Sequence, residues 1–210
     1  MELGRQRRAR TRAKVIAAAF ELFGEEQGLY SRIEDVSQRA GITRATFYEH
    51  FSGMAELREA VTYEVTHDFL TAVSHSIQAL PDPRERISVA IRLYLDRVRK
   101  VSGWGRSMIN LSANGIIFGA ETFREAEQTV AHAIAAGQLS ITDPALGRDA
   151  ILGTTIAAIS TMLREERGAD YPEAVVAMIL VGLGVPPGDA GEIARRPLPE
   201  LVPLPPAQSI

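Results

Sequence analysis

The run Ala40-Gly-Ile-Thr-Arg-Ala-Thr-Phe-Tyr-Glu-His-Phe51 decides how this chain is read. Gly41 is a natural stop for the helix before it, because a residue without Cβ enters the left-handed region freely. Ile42 plugs the gap beneath the turn, and Thr43 is an N-cap for a new helix expected over residues 44–50. In that helix Phe47 and Phe51, four apart, face inward. Arg44, Thr46, Tyr48 and His50 are left as polar groups on the outer side.

Upstream, Ser31-Arg-Ile-Glu34 has the spacing of a capping box, and Ile33, Val36 and Ala40 give the helix it opens an inner face. Before that, Val15, Ile16, Ala19, Phe20, Leu22 and Phe23 recur at the i, i+3, i+4, i+7 spacing of an amphipathic helix, which Gly28 is expected to end. Helix, short glycine-containing turn and helix make the spacing of a helix-turn-helix that reads DNA. An arginine at the start of the reading helix suits bidentate hydrogen bonding to guanine, and Thr and Tyr hydroxyls suit base edges and phosphates.

The charge agrees only when the chain is segmented. All 210 residues sum to −3, a value unfriendly to nucleic acid. Yet residues 1–14 carry six basic side chains against Glu2, a net of +5, whereas residues 61–210 carry 13 basic and 17 acidic, a net of −4. A cationic arm beside a helix-turn-helix draws in phosphates by releasing condensed counterions. On its own the arm would read as a solvated terminus.

Residues 40–51, together with Ala18-Ala-Phe-Glu-Leu-Phe-Gly24 and Ile33-Glu-Asp-Val36, resemble the signature of the tetracycline-repressor (TetR) family of bacterial transcriptional regulators. The resemblance covers about residues 10–61. It implies that the third helix enters the major groove, with Arg44, Ala45 and Thr46 near base edges and Tyr48 and His50 near phosphates. Family members often carry lysine where Met54 stands, so that phosphate contact is expected to be missing and the arginine-rich arm to replace it. The candidate DNA contacts are thus Arg5, Arg7, Arg8, Arg10 and Arg12 of the arm, Ser31, Arg32 and Thr43 at helix starts, and Arg44, Ala45, Thr46, Tyr48 and His50.

Beyond Gly53 the chain reads as long amphipathic helices. Leu57, Val61, Val65, Phe69, Val73 and Ile77 repeat every four residues, then Pro81 and Pro83 interrupt. Ile87, Ala90, Ile91, Tyr94, Leu95 and Val98 form the next apolar face, and a glycine-rich turn at Gly103 and Gly105 is expected around Trp104. Further helices are expected over residues 106–113, 120–136, 145–167 and 172–183. No segment alternates with period two, so the expected class is all-α: a three-helix DNA-binding domain (1–52), a helical bundle for effector and partner (53–185), and a proline-rich extended tail (186–210).

The two late helices are unusually apolar. Leu152, Ile156, Ile159 and Leu163 of one, and Val175, Met178 and Ile179 of the other, correspond by the resemblance to a four-helix interface between two subunits. A homodimer also suits a short reading helix, because two-fold symmetry reads two half-sites. A regulator needs a sensor, and bundles place apolar ligand sites between helices. The candidate lining is Phe69, Tyr94, Trp104, Met108, Asn110, Asn114, Phe118, Phe123 and His132, for a small, largely apolar effector. The expected partners are therefore double-stranded operator DNA, a second copy of the chain and that effector.

Several classes are excluded. Without cysteine there is no disulfide, thiolate nucleophile or cysteine-bound metal, and four scattered histidines suggest no metal cage. Glu64 and His67 have the i, i+3 spacing of di-iron bundles, but no second such pair exists. Phosphate-binding loops and hydrolase motifs are missing, so no enzyme activity and no cofactor is expected. The longest apolar stretch, residues 174–185, is twelve residues with two glycines, well short of the roughly 20 that span a bilayer. The chain reads as cytoplasmic. Two alternatives stand beside the regulator: a helical enzyme on a borrowed scaffold, and an architectural protein indifferent to ligands.

Overall fold

The computed structural model describes residues 2–113 and 117–201. Ten α-helices make up the described chain: α1 (Glu2–Phe23), α2 (Ile33–Ala40), α3 (Arg44–Tyr48), α4 (Met54–Gln78), α5 (Pro83–Lys100), α6 (Ser102–Ser112), α7 (Gly119–Ala135), α8 (Pro144–Arg164), α9 (Tyr171–Gly182) and α10 (Pro187–Arg195). The described residues contain no strand, as period-3.6 patterning without period-2 alternation requires.

The first three helices close around Val15, Ala19 and Phe23 of α1, Val36 and Ala40 of α2, and Phe47 of α3, with Phe51 sealing the base. Gly41 sits at φ 61°, the left-handed C-cap that frees the chain to reverse. Thr43 caps α3 as expected, its Oγ1 accepting from Thr46 N–H at 3.1 Å. The start of α2 differs from expectation by one residue. Arg32, not Ser31, is the N-cap, and Asp35, not Glu34, accepts from its backbone N–H at 2.8 Å. Glu34 is thereby released for another role. The reading helix is also shorter than expected, ending at Tyr48.

The basic arm is no loose thread. Arg, Ala, Gln and Lys are strong helix formers, so α1 runs unbroken from Glu2. It stops at Phe23 rather than Gly28, which lies in a 3₁₀ turn, Gly28–Tyr30, packed so closely that a Cβ there would stand 2.4 Å from the Leu22 carbonyl oxygen.

In the bundle, Asp82 and Asp143 cap α5 and α8, each followed by proline at the first helical position. Gly103 and Gly105 form no turn. They lie in the first turns of α6, where Gly105 lets the helix approach Val98 of α5 to within 2.8 Å of where a Cβ would be. The tail after Pro186 is likewise not an extended coda. α10 packs on α9 and α5, burying Ala190, Ile193 and Ala194. Arg92 of α5 donates to the Arg196 carbonyl at 2.6 Å, and the Arg196 guanidinium pairs with Glu85 at 2.7 Å. Proline at the start of α10, Asp189 in its first turn and Arg195 in its last are ordinary helix signals that the proline content obscured. Residues 202–210 lie outside the described chain.

Candidate functional site

The outward face of α3 presents Arg44, Ala45 and Tyr48 to solvent, with Thr46 and His50 half-buried beside them. Arg44 does not project freely. Its guanidinium meets the Glu34 carboxylate at 2.8 Å, with the Tyr48 side chain one turn along the helix. Tyr48 first, and then Glu34, raise the guanidinium above its ordinary pKa. The Thr46 hydroxyl is engaged with Thr43 Oγ1 at 3.0 Å. Ser31 is half-buried and Arg32 exposed at the start of α2, on the approach to the same face.

The arginines of the arm divide into two kinds. Arg5, Arg7 and Arg10 are exposed along α1. Arg8 instead donates to the Glu49 carbonyl at 3.0 Å, supplying a donor to the C-terminal end of the reading helix. Arg12 pairs with Glu64 of α4 at 2.6 Å and lies over the Phe51 ring at 5.1 Å. These two positions, expected as phosphate contacts, tie α3 and α4 to α1.

A cavity of about 70 Å³ lies among α4, α5, α7 and α8. Its wall is mainly apolar, with Leu70 and Val73 of α4, Ile87 and Ile91 of α5, and Leu152 of α8. Tyr94 and Phe118 are the two expected lining residues that reach it. The Tyr94 hydroxyl is bonded to Thr122 Oγ1 at 3.1 Å, and burial first, then the charge of Glu125, pushes its pKa well above the ordinary tyrosine value. Phe118 precedes α7 at φ 59°, a strained position for a residue with a side chain, and packs its ring against Tyr94 at 5.0 Å and a tilt of 48°.

The other expected lining residues do other work. Trp104 and Phe69 stand one ring behind Tyr94, at 5.9 and 5.0 Å from it. Met108 is core, His132 is exposed on α7, and Phe123 is covered from outside by the Arg148 guanidinium at 3.8 Å. Asn114 lies outside the described residues. Asn110 is buried but points away from the cavity. Its Nδ2 donates to the Phe23 carbonyl at 2.8 Å and the Glu25 carbonyl at 3.4 Å, satisfying groups that the end of α1 leaves open.

That junction contains two residues missed in the sequence. Ser107 donates to the Phe20 carbonyl at 3.3 Å. Arg58 of α4 lies over the Phe23 ring at 4.5 Å and donates to the carbonyls of Leu29 at 2.9 Å and Asn110 at 3.0 Å. Burial lowers the Arg58 pKa, an arginine being able to bear this without losing its proton. The readable signal was the need itself: a helix ending inside a protein requires donors for its last carbonyls.

The expected pairing surface is also rearranged. Leu152, Ile159, Val175 and Ile179 are buried within their own protomer, because α8 and α9 face α5, α6 and α10. Ile156 and Leu163 are half-buried, and Met178 is 59% exposed, joined by Val181 at 43%.

Two family models match the chain. Residues 15–61 match that of the bacterial regulatory proteins of the tetR family, and residues 82–196 that of the tetracyclin repressor-like C-terminal domain. The chain belongs to the TetR family. Among curated TetR-type relatives, the transcriptional activator FasR of Mycolicibacterium smegmatis is 26% identical over 85 residues, 40% of this chain and 39% of that protein. The probable regulator ArpR of Pseudomonas putida is 37% identical over 75 residues, 35% of each chain. The match therefore spans well under half the length of these relatives. Among solved structures, that of RolR in complex with resorcinol is 27% identical, covering 94% of this chain and 99% of that one with a TM-score of 0.74. The family consists of regulators rather than enzymes, and no described helix is long and apolar enough to cross a membrane.

Proposed function

We propose that this protein is a ligand-responsive transcriptional regulator that binds a palindromic operator as a homodimer in the cytoplasm, and that a small, largely apolar effector releases it, making it a repressor. The observation that carries this reading is the junction at Asn110. It joins the DNA-reading module to α6, and the segment after α6 leads to Phe118 in the cavity wall, whose N–H is held by Ser112 Oγ at 3.2 Å. Effector in the cavity displaces Phe118 and Tyr94, α6 shifts, and its grip on the end of α1 transmits the shift. This is a population change between two spacings of the reading helices.

Residues 1–52 serve DNA and residues 53–201 serve effector and partner, with Met178, Val181, Ile156 and Leu163 as the apolar part of the pairing surface. The cavity of about 70 Å³ is smaller than the roughly 150 Å³ known to hold a benzene ring, so an occupant has to open it. The resorcinol bound by RolR supports an effector of single-ring size. The test is selection of bound sequences from random duplex DNA, followed by anisotropy titration with a panel of small aromatics. Selected palindromes released by at least one probe are expected. Binding without sequence preference, or indifferent to every probe, overturns the reading in favour of an architectural protein.

A further inference from the structure

On its α4–α7 side the cavity shares lining side chains with a second, open space. That space is a groove of about 380 Å³ lined by His67, Thr71 and Ser74 of α4 and Glu121 and Arg124 of α7. Leu70 and Glu125 border both spaces. Ser74 is 8% exposed, and its hydroxyl donates to a Glu125 carboxylate oxygen, the only hydrogen bond to that carboxylate among the described residues.

The neutral polar groups of the cavity are already engaged. Tyr94 and Thr122 bond one another, Thr155 donates to the Ile151 carbonyl at 2.7 Å, and Thr129 donates to the Glu125 carbonyl at 2.9 Å. Arg86, the other charge on the wall, is held at the α4–α5 end by its Nε bond to the Leu80 carbonyl at 2.6 Å. Glu125 is thus the acceptor available at the boundary, and Ser74 is the latch across it.

We propose that the effector passes between α4 and α7 and takes the place of Ser74 on Glu125. This deepens the reading of the cavity as the effector site and rests on it. It makes the effector a non-anionic molecule with a compact apolar body and one O–H or N–H donor. A carboxylate brings a second negative charge against Glu125. A pure hydrocarbon fills the space but leaves the acceptor without a partner once Ser74 has moved.

The test titrates the full chain with phenol, toluene and benzoate, three probes of like size, following melting temperature and Trp104 fluorescence. Phenol is expected to bind on the order of tenfold tighter than toluene, with benzoate weakest. Glu125→Gln keeps the shape and an acceptor for Ser74. It is expected to narrow the phenol-to-benzoate gap by about tenfold while leaving toluene unchanged. Ser74→Ala is expected to speed association of all probes that bind. Benzoate binding as tightly as phenol, or an unchanged ratio in Glu125→Gln, overturns the proposal while the cavity reading stands. If not even toluene shifts melting or fluorescence, the cavity reading fails and the proposal falls with it.

Discussion

The guanidinium of Arg44, at the start of the reading helix, is held 2.8 Å from the Glu34 carboxylate of the helix before it. DNA has to compete for this arginine, and Glu34 also repels any phosphate that approaches. Glu34→Gln is therefore expected to raise affinity for random duplex roughly threefold to tenfold while lowering the preference for operator. Arg44→Ala is expected to relax sequence preference at one position of each half-site. Parallel anisotropy titrations on selected and scrambled DNA decide the matter. A loss of random-sequence affinity in Glu34→Gln would show that the pair assists binding instead.

The two kinds of arm arginine make different predictions. Replacing Arg5, Arg7 and Arg10 together by Ala should weaken binding to all sequences and reduce the salt slope by up to about three, roughly one per lost phosphate contact. Arg12→Ala should instead lower the melting temperature, since it breaks the tie to Glu64 and Phe51. An equal effect of Arg12→Ala on the salt slope would return that residue to the phosphate-binding set.

Asn110→Ala leaves the Phe23 carbonyl without its side-chain donor inside the junction. A cost of about 1–3 kcal/mol in unfolding free energy is expected. Effector binding should survive, while the effector concentration needed for release from DNA rises. Normal release in a stable Asn110→Ala chain would separate this contact from signalling.

Tyr94 supplies a pH dependence whose sign is fixed. Its hydroxyl is buried, so the folded state holds the proton to higher pH than the unfolded chain does. Above about pH 10, where an unfolded tyrosine ionises, unfolding releases a proton, and stability falls as pH rises. Tyr94→Phe removes this component. Urea melts between neutral and strongly alkaline pH should show a shallower alkaline decline in the variant.

Ile193 of α10 is 2% exposed. Ile193→Ala is expected to cost about 2–4 kcal/mol by the cavity it opens. A denaturation midpoint unmoved by this change would mean that α10 is dispensable.

What was legible in the sequence was whatever a local signal carries. The left-handed Gly41, the Thr43 cap and the inward Phe47 and Phe51 are consequences of neighbouring residues, and all appear as expected. So do Leu57, Val61 and Val73 of the apolar repeat of α4, all buried. What failed needed knowledge of the third dimension. Asn110 reads as a polar residue in an apolar stretch whether it faces a ligand or the end of another helix, and only packing distinguishes the two. Leu152 and Ile159 are as apolar as an interface requires, but the protomer's own core uses them first. Arg12 looks identical to Arg10 in sequence. Its partner Glu64 is 52 residues away, beyond any pattern of spacing. In the tail the proline content suggests extended chain, yet Pro187 stands at the first position of α10, where a helix accepts proline.

The grip of α6 on α1 is at one end only. Asn110 and Ser107 hold the carbonyls near Phe23, while the exposed arginines sit toward the opposite terminus of a 22-residue helix. Such a rod is about 33 Å long. A tilt of about 5° at the held end therefore carries the far end by roughly 3 Å, close to one base-pair step. In the regulator proposed above, a displacement in the bundle too small to disturb its packing would thereby be magnified into a misregister along the phosphate backbone.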